Sequence, residues 1–430
     1  MRALVREGTG LRDSLLGNEA VVRGALEAGV GFVAGYPGTP SSEITDAFAK
    51  LAGHRGLCFE YSINEKIAVE MAFAASLAGV RSLCAMKHLG LMVAGDPIST
   101  IPYIGVRGGM VIVSAGDPSC RTSPNEQDQR HLGPMLHIPV LDPSTPAEAR
   151  ELTRFAFELS EASHLPVLLR ITTRVCHARA EVEFGEMLAP KVAHFVRDPQ
   201  GLIPVPHQAR RMRLELPGRL EAARRLAVER GLFRKVGEGS SLVLMSGSPS
   251  AITSDLLDEL DPDNSVARLC LPMVHPLPEP ELLAALEGVE RVLVVEELSP
   301  FLEDALAALV GRSGLRRTIM GKRSGHLPEA FEYEPQIVQA ALHECFGFSP
   351  PRPRLVSADV PARPPTLCPG CPHRATYIAA KSAFGDDQLY FNDIGCYTLG
   401  HGPPLDMVDV LLCMGAGFTL AAGVGKVTGT

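Results

Sequence analysis

Gly31-Phe32-Val33-Ala34-Gly35-Tyr36-Pro37-Gly38-Thr39-Pro40-Ser41-Ser42-Glu43 is the stretch whose reading decides the fold. Its apolar run over 31–36 is strand-like, glycine and proline then break the pattern, and hydroxyl residues open a helix. Thr39 suits an N-cap and Pro40 a first helical residue. Two readings of this turn stay open. One is simply a well-formed helix start. The other is a small-anion site, for a carboxylate for example, made of free backbone N–H groups, the helix dipole and the Thr39 and Ser41 hydroxyls.

Outward from that turn, short apolar runs over 82–86, 109–114, 140–141 and 167–171 alternate with helical text up to about residue 182. That order predicts βαβ units on a parallel sheet. Further strands over 241–245, 265–271 and 291–296, separated by amphipathic helices over 250–260 and 278–286, predict a second α/β block. Between the two lie Pro204, Pro206 and Pro217 and then Arg-rich helical text, read as a connecting segment. The proline-dense stretch 348–365, ending in Arg363-Pro364-Pro365, restricts the chain to extended conformations and reads as a linker. The expected organisation is therefore 1–195, a connecting segment 196–237, 238–347, the linker 348–365 and a third unit 366–430. At 430 residues the chain exceeds a single ordinary core.

Composition excludes several classes of function. The chain is 46% hydrophobic and 21% charged with no tryptophan, as in layered α/β enzymes. A net charge of -8 with dispersed Lys and Arg gives no footprint for nucleic acid. Arg6, Arg12, Asp13, Glu19 and Arg23 interrupt the N-terminal text, so no secretory signal is read and a cytoplasmic location is expected. The longest apolar stretch, 410–424, is broken by glycines and shorter than the roughly 18 to 20 residues of a membrane span. Of ten cysteines, Cys58, Cys84, Cys120, Cys176, Cys270 and Cys345 are scattered singly, which is no secreted disulfide framework.

Three further motifs carry chemistry. Tyr61-Ser62-Ile63-Asn64-Glu65-Lys66 opens a helix; Ser62 and Glu65 fit a capping box, and Glu65 equally fits a buried acid bonded to a cofactor ring nitrogen. Cys368-Pro369-Gly370-Cys371-Pro372-His373, with Asp393-Ile394-Gly395-Cys396 further on, offers thiolates for an iron-sulfur cluster or zinc, a redox CxxC, or purely structural cysteines. A fourth ligand for a cluster would have to come from Cys413 or His373. Cys413-Met414-Gly415-Ala416-Gly417 starts a helix whose glycines serve either close packing or the approach of backbone N–H groups to a diphosphate.

In this order the motifs, with Thr172-Thr173-Arg174-Val175-Cys176-His177 and Val295-Glu296-Glu297-Leu298, resemble the thiamine subunit of 2-oxoacid:ferredoxin oxidoreductases, and within it the indolepyruvate branch. The resemblance covers nearly the whole chain. It implies an α/β fold: a thiamine-diphosphate-binding pyrimidine module, a transketolase C-terminal-like domain and the start of a diphosphate-binding module. It makes Glu65 the acid beside the aminopyrimidine and Thr39 the ligand of the substrate carboxylate. Gly415, Ala416, Gly417, Asp393 and His373 become further cofactor-binding candidates. Cys368, Cys371 and Cys396 match three ligands of a [4Fe-4S] cluster. The implied reaction is oxidative decarboxylation of arylpyruvates, coenzyme A taking the acyl group and ferredoxin the electrons, with magnesium holding the diphosphate. A smaller beta subunit and a hetero-oligomer are the implied assembly. The family continues past the last helix with a Gly-Asp strand for magnesium and a ferredoxin-like domain that this text lacks, so the chain is expected to be truncated. A non-oxidative thiamine-dependent decarboxylase and a non-catalytic metal- or thiol-binding fragment are the alternatives.

Overall fold

The computed structural model describes residues 4–351, 361, 364–385 and 387–429. The chain divides into two compact units, Met1–Arg352 and Pro353–Thr430. Most of the linker expected over 348–365 lies outside the described residues.

The first unit opens with β1 (Arg12–Leu16) and α1 (Gly17–Glu27). Then come β2 (Phe32–Gly35), α2 (Ser42–Leu51), β3 (Cys58–Tyr61), α3 (Glu65–Leu77) and β4 (Ser82–Lys87). Two short helices, α4 (His88–Val93) and α5 (Gly95–Ile104), lead to β5 (Met110–Gly116), α6 (Leu132–Leu136) and β6 (Val140–Leu141). α7 (Pro146–Ser163), β7 (Val167–Thr172), α8 (Thr173–His177) and β8 (Arg179–Glu183) complete the first block. Strands lie in the order β6-β7-β5-β4-β2-β3, all parallel. β5 and β7 bury every residue on both faces, which is why the sequence shows them as unbroken apolar runs. α1 and α7 pack so closely that a Cβ at Gly24 would come within 2.3 Å of the Arg150 carbonyl.

The segment 196–237 is more than a connection. α9 (Pro199–Leu202) precedes the 24-residue α10 (Pro206–Glu229), whose Ala223 and Ala227 belong to the same core as Phe155 and Leu159 of α7. β9 (Lys235–Val236) ends the segment inside the second sheet. The second block continues with β10 (Ser241–Met245), α11 (Ser248–Leu260), β11 (Ala267–Cys270) and β12 (Met273–His275). α12 (Glu279–Ala285), β13 (Arg291–Val295), α13 (Phe301–Arg312), β14 (Thr318–Met320) and α14 (Pro335–Phe346) follow. Its sheet runs β14-β13-β10-β11-β9. β12 leaves that sheet and pairs antiparallel with β6, so one edge of the first sheet is built by the second block.

The two blocks share a core: Ala34, Met86 and Ile112 of the first sheet cluster with Leu244 and Val292 of the second. A buried charge network spans the joint. Arg130, 1% exposed, donates to Glu296 at 2.6 Å, to Asp128 at 2.6 Å and to the Glu297 carbonyl at 2.6 Å.

In the second unit, α15 (Pro372–Phe384), the parallel pair β15 (Phe391–Asn392) and β16 (Val410–Leu411), and α16 (Ala416–Thr428) enclose a small core of Leu367, Tyr377, Leu405 and Met407. Among the described residues no helix is long and apolar enough to cross a membrane.

Candidate functional site

The connection leaving β2 runs to β3 on one side and the one leaving β4 runs to β5 on the other, so the carboxyl ends of β2 and β4 mark the topological switch point, where open α/β sheets have their ligand crevice. The motif that opens the sequence reading sits there, with one correction. α2 begins at Ser42 with Ser41 as N-cap, not at Pro40 with Thr39 as N-cap. The reason is local: the Ser41 N–H and hydroxyl both donate to the Gly38 carbonyl, at 2.7 and 2.8 Å, and close a turn ahead of the helix. That commits the Ser41 hydroxyl, which is buried. Thr39 stands exposed on the turn, and among the described residues its hydroxyl has no hydrogen-bond partner. Gly38 packs over the stem of Lys87, where a Cβ would come within 2.8 Å of the lysine Cβ.

Glu65 is the first residue of α3, and the capping box with Ser62 does not form. Asn64 is the N-cap instead: its extended backbone lets its own side chain accept from the Ile67 N–H at 3.0 Å, so the helix end is satisfied without Ser62. The Ser62 hydroxyl is buried without a partner. Glu65 is thereby released from local capping and lies against α4. A Cβ added at Gly90 would fall 2.2 Å from Glu65 Oε1 and 2.3 Å from its Cγ, so only glycine admits the acid in this position. The carboxyl is half-buried and bonded to no other side chain among the described residues, and burial pushes its pKa above the ordinary range.

The sequence reading missed the neighbours of these two residues. β4 ends in Lys87, whose Nζ donates to the Thr122 carbonyl at 2.8 Å. Burial lowers its pKa, partly offset by the charge of Asp117. His88 is fully buried, its Nε2 3.3 Å from the Asn125 carbonyl and its Nδ1 without a partner; burial and then Lys87 hold it towards the neutral form. Asp117, just past β5, organises the facing loop. It accepts from the Thr122 N–H at 2.8 Å, the Thr122 and Ser123 hydroxyls at 3.1 and 2.6 Å, and the Thr173 hydroxyl at 2.9 Å. Burial opposes the Asp117 charge, and these hydrogen bonds outweigh it, leaving the carboxyl below its ordinary range. The available signal was positional: Lys87-His88 and Gly116-Asp117 each end an apolar run abruptly.

The second unit gathers the remaining candidates only in part. Gly415 (φ 85°) turns the chain into α16, the Ala416 N–H donates to the Cys413 carbonyl at 3.0 Å, and the Gly417 N–H donates to Asp393 Oδ1 at 2.7 Å. Asp393, Tyr397 and Gly417 line a cleft of about 410 Å³. His373 stacks edge-on against Tyr397 at 4.5 Å and places Nδ1 3.3 Å from the Cys371 thiol, so the two cysteine-bearing pieces are neighbours. Yet Cys368, Cys371, Cys396 and Cys413 are all free, and among the described residues no three His, Cys, Asp or Glu side chains stand where they could share a metal ion. The thiols as placed do not form the expected cluster or zinc set, and no magnesium set is present among the described residues.

The fold, taken with the sequence relatives, places the chain among thiamine-diphosphate-binding enzymes of the 2-oxoacid oxidoreductase class. Residues 23–200 match the family model described as pyruvate flavodoxin/ferredoxin oxidoreductase, thiamine diP-binding. The chain is 44% identical over 431 residues to the indolepyruvate oxidoreductase subunit IorA of Methanothermobacter marburgensis, spanning 98% of this chain and 69% of that one. Its relative in Archaeoglobus fulgidus is 38% identical, over 99% of this chain and 70% of that one. The chain belongs to the indolepyruvate oxidoreductase subunit IorA family. Among solved structures, a 2-oxoglutarate:ferredoxin oxidoreductase from Magnetococcus marinus with 2-oxoglutarate, coenzyme A and succinyl-CoA bound superimposes with a TM-score of 0.61 at 16% identity. It covers 77% of this chain and 65% of that one, a likeness of fold alone.

Proposed function

We propose that this chain is the thiamine subunit of an arylpyruvate:ferredoxin oxidoreductase, acting on indolepyruvate with coenzyme A as acyl acceptor and a smaller beta subunit as partner. The observation that carries the reading is Glu65, a half-buried carboxyl with no side-chain partner, held over Gly90 at the switch point of the sheet. Such an acid fits thiamine diphosphate: bound there, the cofactor supplies an acidic thiazolium carbon and an electron sink for decarboxylation. Glu65 would share a proton with the aminopyrimidine ring nitrogen. Because burial raises its pKa, it holds that proton further up the pH scale than an exposed carboxyl does. Gly90 keeps the acid in line by offering no side chain to deflect it. Thr39, whose hydroxyl is exposed and uncommitted on the turn before α2, would bind the substrate carboxylate.

In the second unit, taken by itself, Asp393, Gly415, Ala416, Gly417 and His373 are the proposed diphosphate contacts, around the cleft that Asp393 and Gly417 line. Two of the helix-start amides are already engaged, by Cys413 and Asp393. No step is assigned to magnesium or to a [4Fe-4S] cluster, since the side chains here do not gather for either. A cytoplasmic location is part of the reading.

The test is substrate-dependent ferredoxin reduction by the assembled oxidoreductase. Glu65→Gln is expected to lower the rate by roughly 100-fold or more, the weight of a positioned proton-transfer group, with indolepyruvate oxidised faster than branched 2-oxoacids. Unchanged turnover in the variant would remove Glu65 from the mechanism, and a preference for branched 2-oxoacids would overturn the substrate assignment.

A further inference from the structure

Lys87 has no role in the reading above. It occupies the last position of β4, at the strand end that borders the crevice, and its stem supports the Gly38 turn that carries Thr39. Its ammonium makes one hydrogen bond, to the Thr122 carbonyl, and among the described residues no ion pair. Asp117, whose charge acts on it, directs its hydrogen bonds elsewhere, accepting four from Thr122, Ser123 and Thr173. His88 beside it is held towards the neutral form by burial and by Lys87 itself. A half-buried ammonium with two donor positions left over, on which the Asp117 charge acts without direct contact, gains when an anion enters.

From this geometry we infer that Lys87 binds the carboxylate of the 2-oxoacid, as a charged partner to Thr39 across the Gly38 turn. The inference rests on the proposed function, and it adds a specificity element: the crevice selects for a carboxylate through charge, and leaves the rest of the substrate to shape. A lysine held below its ordinary pKa by burial also gains most from an incoming negative charge.

The competing role is purely structural, with Lys87 holding the loop through Thr122. Lys87→Met and Lys87→Arg in the assembled oxidoreductase separate the two. Binding of a 3-arylpropanoate, which keeps the carboxylate but lacks the reactive carbonyl, is compared by calorimetry with binding of the neutral 3-arylpropanamide. The wild type is expected to prefer the acid, Lys87→Met to lose that preference, and Lys87→Arg to keep most of it. In turnover, Lys87→Met is expected to raise KM for the 2-oxoacid by roughly 10- to 100-fold, the weight of one hydrogen bond between charged groups. Thiamine diphosphate affinity should stay within about twofold of the wild type. An acid-over-amide preference that survives in Lys87→Met overturns the inference, whatever happens to kcat or stability. If the wild type oxidises no 2-oxoacid yet its acid preference depends on Lys87, the anion site stands and the proposed reaction falls.

Discussion

Glu65 and Gly90 form the smallest unit of the account. They are far apart in sequence, and neither explains the other until α3 and α4 are seen to face each other. Glu65 was readable as a candidate from its place at a helix start. Gly90 was not, because a glycine inside Lys87-His88-Leu89-Gly90-Leu91 carries no pattern that announces what it faces. Gly90→Ala is expected to leave the fold intact and push the carboxyl off its position, since the new methyl would overlap Oε1. A displacement of that size costs on the order of 100-fold in rate. Turnover measured beside a near-unchanged melting temperature checks it; full activity would mean that Glu65 need not lie where it does. Lys87 was missed for a related reason. A lysine closing an apolar strand reads as a solvent-facing end, and only the neighbouring strand and the 117–125 loop show it half-covered.

At the scale of elements, most strands visible in the sequence are largely buried on both faces, and β11 alternates buried with half-buried residues. β10 is found over 241–245 as expected, and β2, β4, β5 and β7 fall within a residue or two of their apolar runs. The strands that escaped have a different physical basis. β1 and β8 hold each other through exposed cross-strand pairs, Arg12 with Glu181 at 2.9 Å and Glu183 at 3.1 Å, so charge hides their alternation. β3 is an edge strand with little buried surface, and β9 and β12 are too short for any periodicity. Helix starts were misplaced where a nearer residue competed for the cap: Asn64 displaced Ser62, and the Gly38–Ser41 turn displaced Thr39. The first of these is directly measurable. Asn64→Ala is expected to cost about 1 kcal/mol of stability, whereas Ser62→Ala, which removes a buried hydroxyl with no partner, should be neutral or slightly stabilising. Chemical denaturation of the two variants decides it, and the reverse order would restore the capping box.

At the scale of the whole molecule, the sequence showed two α/β blocks and missed how they join. The joint depends on contacts that no local window contains: β12 added to the edge of the first sheet, and Arg130 reaching Glu296 from a loop far upstream. Arg130→Met would leave Asp128 and Glu296 buried without their cation and is expected to destabilise the first unit by about 3–5 kcal/mol. Adding Glu296→Gln should then cost less than it does alone, because the two residues share one network. Additive losses in a denaturation cycle would mean that the pair is not coupled. The second unit was legible as motifs and less so as a site. Cys371 caps the start of α15 and Cys396 follows the Gly395 turn, yet among the described residues the thiols do not gather, since spacing in sequence does not fix the direction of a thiol.

The central claim is that Glu65 activates thiamine diphosphate held at the crevice of the first sheet. It is tested most directly by following the exchange of the cofactor's acidic thiazolium proton with deuterium in the assembled oxidoreductase, without substrate, by rapid quench and proton NMR. The account predicts fast exchange in the wild type and exchange slower by roughly 10²- to 10⁴-fold in Glu65→Gln, with the cofactor still bound. Equal exchange rates in the two proteins would contradict it.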